Sequence, residues 1–338
     1  MNSFKVQQPL SRSPGFRRQF GQTSDRLPIA RRRYGVELTI TQPESPVNLN
    51  IPREKVLAFS PALRTVMNLA APKAMNAKKK SILAYGAVIA LIVLVSLVPE
   101  LIAGKSPYAI TFAGAVPPGR EHLLGTDFLG RDILARTLIG GRMSLLIGVL
   151  SRLASVAVGL AVGIVAGLAG KAARGPINAG VEVFLSIPSL LLALALAMVL
   201  GEGILTVIVA IVAGTWAPVA RAVAVKVEEL EKEDFVTAAR ALGARESRVA
   251  VHHIIPSLMP LLLPLTTTGI ATSIMLESTL SFLGLGGGAS LGDLPSWGMM
   301  IQEGSRFIFD APWIIVPPSV MLSVLILCFN QVGDTLAE

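Results

Sequence analysis

The sequence predicts an all-α integral membrane protein with six transmembrane helices, and three observations carry that prediction. The 338-residue chain is 52% hydrophobic and only 15% charged, with a mean hydropathy of +0.63, whereas soluble domains carry about 25% charged residues. Its apolar residues are gathered into long blocks, as immersion in hydrocarbon requires. Its basic residues are concentrated ahead of the first block, the bias expected of a cytoplasmic flank. Cys328 is the single cysteine, so neither an intrachain disulfide nor a cysteine-based zinc site is available.

The blocks fall at 81–99, 144–170, 178–200, 204–222, 257–280 and 312–332. Each holds about 20 helical residues, enough to cross a hydrocarbon core of about 30 Å. Pro99, Pro256, Pro312, Pro317 and Pro318 stand near block ends. Pro188 lies inside the third block, where it should kink or interrupt the helix.

Charge sets the direction. A formal charge of +8 would suit nucleic acid, but residues 1–80 hold 15 of the 30 Lys/Arg against four acids. Lys78, Lys79 and Lys80 stand directly before the first block, which favours cytoplasmic N- and C-termini. In that orientation the inside segments carry 23 Lys/Arg and the outside loops, 100–143 and 281–311, carry six. No nucleic-acid partner is expected. Residues 1–80 read as a basic cytoplasmic tail, largely disordered. Arg31-Arg32-Arg33 resembles a twin-arginine signal, yet no apolar stretch follows promptly, so a basic patch facing solvent or lipid is the better reading. Met67 and Met75 are alternative starts. Residues 81–142 make the first span and an extracytoplasmic segment, and 143–334 a five-helix core with a cytoplasmic loop at 223–256.

Within the spans, Gly159, Gly163 and Gly167 recur every four residues and line one helix face, permitting close backbone approach. Packing inside the chain and a seam with a partner subunit remain equal readings. Glu182 and Glu277 are acids at membrane depth, each a structural residue or part of a pathway or gate. Arg152 is expected to pair with an acid or to snorkel to the outer interface.

The loop contains DFVTAARALGA, residues 234–244. Phe235, Ala238, Ala239 and Leu242 form an apolar stripe at helical spacing. Gly243 can end the helix in a left-handed conformation. EELEKEDF supplies five carboxylates just ahead, which stabilise the positive helix end. Small residues bury little area per turn, so docking into a protein cleft is favoured over a membrane-surface wedge. His252 and His253 are adjacent, do not face together on a helix, and have no evident third ligand.

This loop resembles the EAA-type coupling loop of inner-membrane permeases in ABC importers. Thr237-Ala238-Ala239, three residues, Gly243 and then Pro256 follow that family's spacing, with Thr237 in place of glutamate and His253 in the isoleucine position. GTDFLGRDILAR at 125–136, ESTLSFLGLG at 277–286, PSWG at 295–298 and APW at 311–313 are similar to the OppC/DppC-like branch. The resemblance covers about 81–334.

It implies the type I ABC importer permease architecture in a bacterial inner membrane, and transport of dipeptides or oligopeptides, with nickel or a nickel chelate as the alternative cargo. The implied partners are a homologous second permease subunit, two cytosolic ABC ATPase domains, an extracytoplasmic solute-binding protein and membrane lipid. Phe235, Thr237, Ala238, Ala239, Leu242 and Gly243 would couple to the ATPase, with Arg240 and Arg245 as rim contacts. No cofactor is expected on this chain; ATP and magnesium belong to the partners. VAGLAGKA at 165–172 departs from a phosphate loop at Val165 and Ala172, where a glycine and a hydroxyl residue are needed. GLGGG at 284–288 reads as a flexible outer turn.

Outside, Gly125, Asp127, Gly130, Arg131 and Asp132 are expected to fix a membrane-edge loop through paired charges, or to meet the solute-binding protein. Trp297 is expected as an interfacial anchor with a tight turn at Gly298. An ion-coupled secondary carrier and a noncatalytic scaffold are the readings from other classes.

Overall fold

The computed structural model describes residues 61–111, 114–286 and 294–338. Residues 1–60, with Arg31–Arg33, and Gly287 and Gly288 of the expected outer turn lie outside them. Thr65–Glu338 form one compact unit. Among the described residues the architecture is helical: α1 Pro61–Leu97, α2 Pro99–Ala103, α3 Ile133–Leu168, α4 Lys171–Ser186, α5 Ser189–Leu200, α6 Ile204–Leu230, α7 Asp234–Ala241, α8 Glu246–Val249, α9 Ile255–Phe282, α10 Trp297–Ser305 and α11 Val316–Ala337. A π-turn over Ala250–Ile254 joins α8 to α9.

Among the described residues five helices are long and apolar enough to cross a membrane. The third expected block is not a straight crossing. It breaks into α4 and α5, which meet at 85°, and makes a sixth span only if the bent pair counts as one. The cause is local: Pro188 caps α5 without an N–H, and Ile187 before it is extended, with ψ 125°, the conformation that a following proline imposes.

The first helix starts at Pro61, some 20 residues inside the stretch expected to be a disordered tail. Residues 61–80 are rich in alanine, leucine and methionine, good helix formers, and extending an existing helix needs no new nucleus.

α3 and α6 form the centre. Gly159, Gly163 and Gly167 face Val219, Val223 and Val227 in register, and a Cβ built on each glycine would lie 2.6, 2.6 and 2.5 Å from the matching valine Cβ. The glycine face is therefore filled by this chain's own α6. Deeper in the same seam, the hydroxyls of Ser155 and Thr215 bond at 2.7 Å. α9 packs on the other side of α3, with Ile274 against Gly148, and α11 closes over it where Gly333 meets Thr268. α1 joins through Ile92, clustered with Ile274, Trp297 and Leu325.

α9 contains Pro260 and Pro264 and starts at a proline-bearing first turn. Pro256 lacks the N–H that would bond His252, and the chain widens there into the π-turn, Ile255 N–H reaching Ala250. In lipid the hydroxyls of Thr266, Thr267 and Thr268 satisfy themselves on carbonyls one turn back, at 2.7, 2.8 and 3.0 Å;.

Candidate functional site

α7 is a short amphipathic helix held at one face. Val236 is fully buried in an apolar cluster with Val227 and Leu230 of α6, Val249 of α8 and Ile254 and Leu258 beyond it. Ala239 packs against the same cluster. The opposite face is open: Phe235 is 42% exposed and Leu242 89%. Phe235, Ala238, Ala239, Leu242 and Gly243 line a groove of about 460 Å³ there, with Arg248 and His253 at its far wall. The whole expected stripe, Phe235, Ala238, Ala239 and Leu242, thus faces the groove, with Ala239 at its inner edge against the buried cluster. The residue that anchors the helix, Val236, falls outside the stripe read from the sequence.

Gly243 has φ +83°. Around it Ala244 N–H donates to Ala239 O at 3.1 Å and Gly243 N–H to Arg240 O at 2.9 Å. These two bonds are the Schellman termination, in which the residue after the cap must be left-handed. Thr237 stands exposed and donates its hydroxyl to Asp234 O at 2.9 Å, so at the glutamate position of the motif the side chain bonds its own helix.

Arg240 is not a free rim residue. Its Nε donates to Glu246 Oε1 at 2.9 Å, and its Nη2 to Glu246 Oε2 and Glu231 Oε1 at 3.0 Å each. Bonding to Glu246 first, and to Glu231, holds its guanidinium above the ordinary range. Arg245 caps α8 and remains exposed beside Ser247 and Arg248. The ring of His253 lies 6.3 Å from that of Phe235, while His252 is exposed.

At the other end of α3, about 54 Å away along its 36 residues;, charges converge. Asp127 Oδ1 accepts the backbone N–H groups of Leu129 and Arg131 at 2.9 and 3.0 Å. Its Oδ2 accepts Arg131 Nε at 2.6 Å and also the buried Arg136 guanidinium. Both arginines reach Glu303 of α10, at 3.4 and 3.0 Å. Burial would raise the Asp127 carboxyl, but the Arg131 N–H and the two guanidinium charges together outweigh it and hold it below its usual range. Asp132 caps α3 by accepting Ala135 N–H at 2.9 Å, and its second oxygen faces His122 Nδ1 at 2.8 Å. Gly125 and Gly130 have φ +78° and +74°. A Cβ on Gly125 would meet Trp313 Cδ1 at 2.7 Å, and Trp313 Nε1 donates to Thr126 O at 3.1 Å. The GTD and APW stretches are therefore one packed unit.

Trp297 is not an interfacial anchor. It is fully buried, its Nε1 donates to Thr137 O at 2.8 Å, and Gly140 and Gly141 of α3 make room for its ring. Those paired glycines were the sequence signal for an indole seat. Gly298 sits in the first turn of α10 rather than in a tight turn. It lets that helix close onto Ser278 and Ser281 of α9.

Glu277 is sealed. Its oxygens accept Ser281 at 2.7 Å and Ser278 at 3.2 Å, and Ser144 of α3 and Ser296 before α10 face it closely enough to interact. The carboxyl so ties α9, α3 and the segment entering α10, a loop-orienting geometry. Glu182 is exposed and pairs with Arg221 at 3.2 Å. Among the described residues Arg152 pairs with no acid, and it is buried rather than snorkelling. It lies flat on Gly269, where a side chain would collide with it, and donates to Leu265 O. A helix glycine at the crossing point leaves just the space a guanidinium needs.

Residues 159–338 match the family described as binding-protein-dependent transport system inner membrane component. The dipeptide transport system permease protein DppC of Alkalihalophilus pseudofirmus is 34% identical over 221 residues, 65% of this chain and 72% of the relative. The oligopeptide transport system permease protein OppC of Bacillus subtilis is 35% identical over 222 residues, 66% and 72% respectively. An inward-facing structure of the MetNI methionine ABC transporter aligns with a TM-score of 0.48 at 20% identity, covering 58% of this chain and 92% of that one. With five apolar helices of spanning length and a family match over more than half its residues, the chain belongs to the inner membrane components of binding-protein-dependent transport systems, as a multi-pass permease subunit of the bacterial inner membrane.

Proposed function

We propose that this chain is one permease half of an ATP-driven importer of dipeptides or oligopeptides, and that α7 is where a cytosolic ATPase moves it. The cargo class follows the names of the relatives. In this reading both termini are cytoplasmic, ATP and magnesium are held by two ATPase domains, a homologous permease completes the pathway, and a solute-binding protein docks over the Asp127 end.

One observation carries the coupling role: α7 is anchored to the bundle by Val236 while Phe235 and Leu242 stand exposed on its far side. An exposed leucine and phenylalanine over alanines is a surface built to be covered. Covering it in only one nucleotide state supplies the differential contact that shifts the bundle between two packings. Because Ala238 lies in the open groove, it is the residue to test. With Cys328 replaced by serine, Ala238→Cys in the purified assembly should crosslink to the ATPase in high yield, and Ser186→Cys, on the bundle, should not. No crosslink from position 238 in an assembly that hydrolyses ATP and transports overturns the coupling role. Uptake of a labelled dipeptide by the chain alone under an ion gradient would favour a secondary carrier instead.

A further inference from the structure

The anchored face of α7 has a second point of attachment, which involves no apolar contact. Arg240 follows Val236 by four residues and so lies on the same helix face. One apolar anchor leaves a short helix free to swivel, and α7 is joined to its neighbours only by Glu231–Glu233 on one side and Leu242–Arg245 on the other. Two anchors one turn apart fix its axis.

Glu231, which caps the end of α6, is the centre of the second anchor. Its Oε1 takes Arg240 Nη2 at 3.0 Å and its Oε2 takes Arg174 Nη2 at 3.3 Å. Arg174, in the first turn of α4, also donates to the Gly167 carbonyl at 2.6 Å and faces Glu228 at 3.6 Å. Gly167 is in turn the glycine that receives Val227 of α6. Through one carboxylate, α7 and α8 are tied to the ends of α3, α4 and α6. The side chains involved are partly exposed, Glu231 at 22% and Arg240 at 32%, and ion pairs of that exposure add only about 0–1 kcal/mol each. What such a network can supply is geometry, since a guanidinium that engages two carboxylates has few orientations open to it.

We propose that Glu231, held between Arg174 and Arg240, is the fastening through which displacement of α7 reaches α3, α4 and α6 together, making these three positioning residues for transport. The proposal rests on the coupling role assigned to α7 above. Without the network, α7 would still dock and would rock in place.

The test uses the complete assembly in nanodiscs, with Cys328→Ser, the Ala238→Cys crosslink to the ATPase, and in separate samples a spin-label pair at the exposed Val183 of α4 and Leu263 of α9. ATP should shift the label distance in the parent. Glu231→Gln and Arg174→Met should reduce that shift at least threefold, with crosslink yield within twofold of the parent. Arg240→Met should do the same and Arg240→Lys should recover at least half of the shift. An undiminished shift in Glu231→Gln and Arg174→Met overturns the fastening alone. A crosslink lost only in the variants also overturns it, making the network a docking or folding feature. A crosslink missing in the parent overturns the coupling role and the fastening with it. Arg174 lies away from the docking face, so its variant remains informative where one at Arg240 does not assemble.

Discussion

Gly163 of α3 and Val223 of α6 meet so closely that a Cβ on the glycine would lie 2.6 Å from the valine Cβ and 2.7 Å from the Ala220 carbonyl. That contact is the middle rung of a three-rung ladder, and it explains why the glycine stripe belongs to the chain's interior. Without a hydrophobic drive between helices in lipid, close packing of small faces is what holds them.

Gly163→Leu should therefore be poorly tolerated. Overpacking a tight seam costs about 1–3 kcal/mol, occasionally more, and here both the valine and a backbone carbonyl block relaxation. The expected outcome is a lower melting temperature and lower yield of the detergent-solubilised chain. Gly175→Leu, a glycine with open space around it, is the control that should leave both unchanged.

Gly243→Val should uncouple without unfolding. At φ +83° a β-branched residue strains the Schellman turn, by about 1–3 kcal/mol, while no neighbour lies within 4 Å of the new Cβ. Insertion and abundance should match the parent, with ATP hydrolysed per substrate imported rising severalfold. Gly243→Asn, which tolerates the left-handed region, should lie between them.

Asp127→Ala should destabilise the segment that leads into α3. It strands the buried Arg136 and the Arg131 turn, and removing one member of a buried pair costs about 3–5 kcal/mol. The loss is expected toward the lower end because Glu303 still faces both arginines. The pH dependence has a fixed sign. Since the folded carboxyl sits below its ordinary value, its contribution is whole above about pH 3.9 and is lost as pH falls through the lower folded value. Thermal melts of the parent should drop on acidification below that point, and those of Asp127→Ala should drop less.

Glu277→Gln and Glu277→Ala should separate. The amide keeps an acceptor for the surrounding hydroxyls and should retain most transport. Alanine leaves Ser278 and Ser281 without their partner, at about 1–3 kcal/mol for each group left unsatisfied, and frees the segment entering α10. Proteolytic sensitivity between residues 284 and 296 is the readout. Equal resistance in both variants would dismiss the loop-orienting role.

What the sequence by itself determined was local: five spanning blocks and a sixth cut at Pro188, a short helix stopped at Gly243, a loop of paired charges at Asp127 and Arg131, and the family. Each of those rests on residues within a few positions of one another, where helical periodicity, a missing N–H or a left-handed glycine acts directly. The tertiary structure decided who meets whom. Trp297 finds its seat 160 residues away, at Thr137. Arg152 settles on a carbonyl of α9, Val236 from outside the stripe pins α7 with Ala239 beside it, and Arg240 turns inward to Glu231. A sequence shows that a helix has a small face or a charge, but which surface fills that face, and which carboxylate reaches that charge, is set by packing among helices distant along the chain.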